Sequence, residues 1–126
     1  MITLNIELFS SKNSMKIIQL KNGRRLVVKH DRARKQEKTF KTLLEANKKE
    51  WERMTKGKEY PLKVQFFVYR KTKRAWDWLN LIQGLADAMT KAGYWPDDNV
   101  NYFTPVFKGW DVDKDNPRTE IEVLEK

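Results

Sequence analysis

Apolar and polar residues alternate from the start of the chain, with Ile2, Leu4, Ile6 and Leu8 separated by Thr3, Asn5 and Glu7. A period of two places one set of side chains on a single face, so the segment predicts a strand. A polar loop, Ser10 to Ser14, ends it. Two short β-rich runs, Lys16 to Leu20 and Arg24 to Lys29, flank Lys21-Asn22-Gly23, and an Asn-Gly turn between such runs predicts a hairpin. From Asp31, a capping residue, the apolar positions change to helical spacing. Phe40, Leu43, Leu44, Trp51 and Met54 form one stripe of a long helix that runs to about Lys56 and stops at Gly57. Leu62 to Tyr69 reads as a central strand, with Val64, Phe66 and Val68 on one face and Phe67 and Tyr69 on the other.

A second helix is predicted from Asp77 to about Ala92, closed by Gly93. Leu81, Ile82, Leu85, Ala86 and Met89 form its apolar face, and Asn80, Gln83 and Asp87 form a polar stripe at spacings of three and four. A turn around Pro96-Asp97-Asp98 leads to a strand at Tyr102 to Phe107. A polar loop from Asp111 to Pro117 precedes a last strand at Thr119 to Leu124. The order β, ββ, α, β, α, β, β predicts an α+β fold, a single mixed sheet with two main helices packed on it. No repeat or linker divides the chain, so residues 1–126 are expected to form a single domain.

Composition narrows the chemistry. The 126 residues contain no cysteine, which excludes disulfides, thiolate metal sites and cysteine nucleophiles. The single histidine, His30, argues against a catalytic triad or a multi-histidine zinc site and suits a surface or capping role. No stretch approaches the length of an apolar membrane span and no signal-peptide pattern opens the chain, so a soluble, cytoplasmic protein is expected. The formal charge is +9, but it is unevenly spread. Residues 1–76 carry 21 Lys and Arg against 7 acids, a net of +14, whereas residues 77–126 carry 5 against 10, a net of −5. The basic part suits a polyanion such as nucleic acid, with Arg24, Arg25, Arg32, Arg34, Lys35, Lys73 and Arg74 as candidate phosphate contacts. The bland alternative is a solvated surface of uneven charge. Clustered carboxylates repel phosphate unless some of them hold a divalent cation.

Asp77 to Asp98 is the informative segment: D-W-L-N-L-I-Q-G-L-A-D-A-M-T-K-A-G-Y-W-P-D-D. It resembles the RusA family of Holliday-junction resolvases, mostly phage-derived endonucleases. The family signature is an Asp-x-Asp-Asn-Leu run opening a helix, a Lys in its second turn, an Asp-Ala pair, then Gly and a closing Asp-Asp. Asp77, Asn80 and Leu81 match the opening, Asp87-Ala88 the pair, and Gly93 with Asp97-Asp98 the end, without a gap. Ser11-Lys12-Asn13 is similar to a family Ser-x-Asn turn, which adds Lys12 to the nucleic-acid candidates. The resemblance implies a homodimer that binds branched DNA and cuts four-way junctions in recombination and repair with magnesium, or manganese in its place. It assigns catalysis and metal binding to Asp77 and Asp98, with Asn80 as a further metal ligand. The family's second metal aspartate falls on Leu79 and its lysine on Gln83. The resemblance therefore leaves a second outcome open, a RusA-like protein that binds DNA and has lost cleavage.

Every candidate also has a structural reading. Asp77 can serve as a helix N-cap alone, and Asp97 and Asp98 as an Asx-type turn. Asn80 and Gln83 can be solvent-facing helix residues. Trp76, Trp78 and Trp95 fit core or dimer-interface rings better than base-stacking platforms. Leu79 borders the apolar face, so a charge placed there is expected to cost on the order of 1 kcal/mol or more. Lys73, Arg74 or Lys91 is available to replace the missing lysine.

Overall fold

The computed structural model describes residues 1–8, 15–29 and 31–125. Its elements are β1 (Ile2–Leu4), β2 (Met15–Gln19), β3 (Arg25–Lys29), α1 (Asp31–Ala46), α2 (Lys48–Thr55), β4 (Leu62–Arg70), α3 (Trp78–Lys91), β5 (Phe103–Val112) and β6 (Arg118–Val123). Four strands form one mixed sheet in the order β1-β6-β4-β5, so the fold is α+β, as expected. β4 pairs antiparallel with β6 and parallel with β5, and α3 is the crossover between the two parallel strands. The hairpin forms at its Asn-Gly turn, where Gly23 takes a φ of 83° and Asn22 Oδ1 accepts the Arg24 N–H at 3.0 Å. It stands as a separate two-stranded sheet. Among the described residues no helix is long and apolar enough to cross a membrane.

The alternation of β4 is realised as read: Val64, Phe66 and Val68 are buried, and Phe67 and Tyr69 lie on the other, half-covered face. Ile121 of β6 and Ile2 and Leu4 of β1 extend the apolar layer across the sheet. Leu81, Ile82, Leu85, Ala86 and Met89 press onto it from α3, while Phe40, Leu44 and Trp51 enter from α1 and α2. Each large side chain withdrawn from water in this layer contributes about 1.5–3 kcal/mol.

Three boundaries differ from the sequence reading. The helix expected from Asp31 to Lys56 is divided at Asn47, whose φ of −98° and ψ of 4° leave the helical region. Its side-chain amide donates to the Leu43 carbonyl at 2.8 Å, a local bond that competes with helical geometry. The first strand ends at Leu4, because the Ile6 N–H turns back to the Leu4 carbonyl at 2.9 Å. The penultimate strand runs on to Val112, five residues past Phe107. Lys108 and Asp111 do not end it, because β5 is the outer strand and its polar side chains reach solvent.

The C-terminus of α3 closes on a Schellman motif, with Gly93 N–H on the Thr90 carbonyl and Tyr94 N–H on the Met89 carbonyl, both at 3.0 Å. Gly93 has a φ of 81°, and the Lys48 ammonium donates to the Ala92 carbonyl at 3.0 Å and to the Gly93 carbonyl. Gly93→Ala is expected to destabilise by about 1–2 kcal/mol through the left-handed conformation alone. A lower urea midpoint at unchanged slope is the sign of it, and an unshifted midpoint would contradict the cap.

Candidate active site

β4 ends at Arg70, and the chain returns through an exposed basic turn, Lys71, Thr72, Lys73 and Arg74, to the start of α3. Asp77 caps that helix: its Oδ1 accepts the Asn80 N–H at 3.2 Å and its Oδ2 accepts the Asn80 side-chain amide at 2.9 Å. The N-cap reading of Asp77 is thus realised. The carboxylate is exposed, and two hydrogen bonds occupy about half of its lone-pair sites. It also lies at the positive end of the helix dipole, which favours an anion there.

Asp98 lies in the loop that leaves the other end of α3. Asp97 organises that loop: its Oδ1 accepts the Asp98 N–H at 2.8 Å and its Oδ2 the Asn99 amide at 3.0 Å. The Asx turn expected at Asp97 and Asp98 is made instead by Asn99, whose Oδ1 accepts the Asn101 N–H at 2.9 Å, and the Asp98 side chain is left exposed. Rings near the two aspartates in sequence rest on different parts of β5. Trp78 stacks on Phe107 at 4.6 Å, and Trp95 on Phe103 at 4.2 Å. Four residues of β5, about 13 Å along the strand, separate those two supports. Asp77 and Asp98 share no hydrogen-bond partner, and among the described residues no three Asp, Glu or His side chains form a metal-binding group.

Asn80 sits against Asp77, and its amide orientation leaves its Oδ1 available as a donor atom to a cation. Leu79 is 71% exposed and does not border the buried face of α3, contrary to the sequence expectation. A residue two after the cap lies on the open side of the first turn here. Gln83 is also exposed. Asp87 is paired with Lys91 at 3.0 Å in the second half of α3, and its hydrogen bond raises the Lys91 pKa. Lys91 thus forms an exposed surface pair, whereas Lys73 and Arg74 lie in the turn that precedes Asp77. Arg24 and Arg25 are exposed at the hairpin turn, and Arg34 and Lys35 on α1; Arg32 lies in the first turn of α1. Lys12 and His30 lie outside the described residues.

Buried Trp51, Tyr94 and Trp95 hold the Asp98 loop. The Trp51 indole donates to the Tyr94 carbonyl at 2.9 Å, and the Tyr94 hydroxyl donates to the Leu44 carbonyl at 2.7 Å. Burial pushes the Tyr94 pKa up to about 12, which keeps it a neutral donor. Trp95 donates to Thr90 Oγ1 at 2.7 Å. The sequence reading placed Trp51 on the apolar stripe of its helix and Trp95 among the core rings, as both are, but it did not foresee Tyr94 or the hydrogen bonds that join the three. A groove of about 430 Å³ between α1 and α3, lined by Gln36, Phe40, Gly84 and Ala88, was not read at all. Its formation depends on how two helices meet.

The sheet, the aspartate-capped crossover helix and the basic turn before it make up one α+β unit. A family model, Endodeoxyribonuclease RusA, matches residues 11–124. The chain belongs to the RusA endodeoxyribonuclease family. None of the curated proteins compared with the chain matches it.

Proposed function

We propose that the chain is a magnesium-dependent, structure-specific endonuclease that acts on four-way DNA junctions as a homodimer. The match to an endodeoxyribonuclease family across residues 11–124 carries this reading. Two symmetric cuts in a junction call for two active sites, and a two-fold pair of subunits supplies them.

The donor set at the start of α3 fits magnesium. This cation commonly takes only one or two protein carboxylates and completes its shell with water and substrate phosphate. Asp77 offers an exposed carboxylate with free lone pairs, and Asn80 an amide oxygen beside it. The resemblance of the Asp77–Asp98 segment alone assigns Asp98 the second carboxylate, since the rings that support the two residues stand about 13 Å apart on β5. When bound, the metal supplies a hydroxide nucleophile near neutral pH and neutralises charge on the scissile phosphate. Asn80 fixes the rotamer of Asp77 through two hydrogen bonds. Lys71, Lys73 and Arg74 are proposed to hold the DNA backbone next to that carboxylate. Arg24, Arg25, Arg34 and Lys35 extend the grip along the hairpin and α1, and Arg32 and Lys12 are assigned to the same role.

A second reading, junction binding without cleavage, is favoured by one observation. At the family's second aspartate and lysine positions the chain exposes Leu79 and Gln83, neither of which offers a carboxylate or a cation. One assay separates the two: a labelled four-way junction incubated with protein in magnesium, in manganese and in chelator. Symmetric nicks in either metal and none in chelator are expected. Binding is expected in all three, falling steeply with salt as each neutralised phosphate contributes a slope of about −0.9. Retained binding with no nicking in either metal would sink the nuclease reading and leave the second.

A further inference from the structure

We propose that Trp76, Phe107 and Trp110 form a stacking platform for unpaired bases of single-stranded DNA, a proposal that rests on the DNA-binding reading above. Two sets of aromatic residues among those described differ in exposure. One, around Trp51, Tyr94 and Trp95, is buried and hydrogen-bonded into the core. The other lies on the outer strand of the sheet, where Trp76 meets Phe107 at 6.1 Å and Trp110 at 5.7 Å, both edge to face. Phe107 remains 45% exposed and Trp110 38%, and Trp76 and Trp78 are half-buried. The register explains the alignment. Phe107 stands opposite Phe66 and Trp110 opposite Val68, so a shift between Phe66 and Phe67 keeps both rings on the same face of the sheet.

Core packing does not account for rings left this open. Trp78 covers one side of Phe107, and the Arg70 guanidinium lies 5.5 Å from the Trp76 ring. The outward parts of Phe107 and Trp110 project from the outer strand into solvent. The surrounding charge selects the occupant. Lys71, Lys73 and Arg74 precede Trp76, Lys108 lies between the two β5 rings, and all four are exposed. A second copy of the chain placed on this patch would bring like charges together. Single-stranded DNA supplies phosphates to the cations and flat bases to the rings, the pairing by which single strands are held without regard to sequence. Since Asp77 follows Trp76 directly, the platform would hold a strand opened at a branch point beside the proposed cleavage site.

The test uses fluorescence anisotropy with two labelled probes, an oligothymidine of about 12 nucleotides and a duplex of equal length. Trp110→Ala is expected to weaken oligothymidine binding about tenfold and to leave duplex binding within about twofold. Trp110→Phe should restore most of the loss, and Phe107→Ala, a second and independent truncation, should repeat it. Circular dichroism of each variant establishes that it is folded. Equal oligothymidine affinity in wild type and both alanine variants would overturn the platform, as would a proportional loss on both probes. A dimer that Trp110→Ala converts to monomer at unchanged oligothymidine affinity would assign the patch to a second copy instead. If the wild type binds neither probe nor a four-way junction, the DNA-binding reading fails with it. Retained duplex and junction binding isolates the failure to the platform.

Discussion

Trp51→Ala is expected to destabilise the protein by about 3–5 kcal/mol, a large part of the 5–15 kcal/mol typical of a folded domain. The indole is 2% exposed, and its ring lies 5.0 Å from Tyr94 and 5.8 Å from Trp95. Truncation leaves a cavity among three elements that cannot all close on it, and strips the Tyr94 carbonyl of its donor. The damage is directed at the proposed site, because Trp95 passes the support on to Phe103 and the intervening residues carry Asp98. Trp51→Phe separates the contributions: it keeps most of the apolar contact and loses only the hydrogen bond, so about 1–3 kcal/mol is expected. Urea unfolding followed by circular dichroism measures both. An alanine variant within about 1 kcal/mol of wild type would show that Trp51 does not join these elements.

The parts of this fold written locally were legible in the sequence. α3 was readable because three independent signals agree: an apolar stripe at helical spacing, Asp77 at the cap and Gly93 at the residue after the last turn. β4 was readable because it is half-buried, so its alternation survives in the residue order. β5 was only half readable. An outer strand can carry Lys108 and Asp111 toward solvent without loss, and such a strand resembles a loop. The break at Asn47 was missed for a related reason. The apolar stripe continues from Leu44 to Trp51 across it, and a single amide bonding to Leu43 interrupts the helix without disturbing the pattern. The separation of the hairpin from the main sheet is a matter of which strands pair, and that lies in no local period.

The candidate site divides in the same way. Asp77 was recognisable as a cap and as a proposed ligand from one position in the spacing, and its hydrogen bonds with Asn80 show that the cap is real. They do not exclude the ligand role, since a cap occupies only part of a carboxylate. The exposure of Leu79 was misread because the second residue after a cap lies at the edge of the apolar stripe on a helical projection, where α1, α2 and the sheet decide which edge is covered. The relation of Asp77 to Asp98 is a tertiary distance. Twenty residues of helix and loop separate them, and no spacing rule fixes how a loop returns.

Asp77→Asn should reduce metal-dependent cleavage of a four-way junction by about a hundredfold or more while leaving junction affinity unchanged. Asparagine is as good an N-cap as aspartate, so the Asn80 N–H keeps its acceptor and the helix keeps its first turn. What is lost is the charge that holds a divalent cation against phosphate. Phosphate binding resides in the neighbouring cations and should persist. Asp98→Asn is expected to act alike, since its side chain is exposed and no hydrogen bond to its carboxylate is seen among the described residues. An Asp77→Asn protein that cuts at the wild-type rate would remove this residue from the chemistry. The converse change carries more information. Leu79→Asp adds the missing carboxylate at a position 71% open to water, in the first turn of α3, where an acid is favoured by the helix dipole. Its stability cost should therefore stay within about 0.5 kcal/mol, below the penalty expected for a residue at the apolar edge. With Gln83→Lys beside it, cleavage should rise at least about tenfold at limiting magnesium if the site binds its metal weakly for lack of that ligand. A double variant that binds junctions and cuts no faster than wild type would show that the absent carboxylate and lysine do not limit this active site.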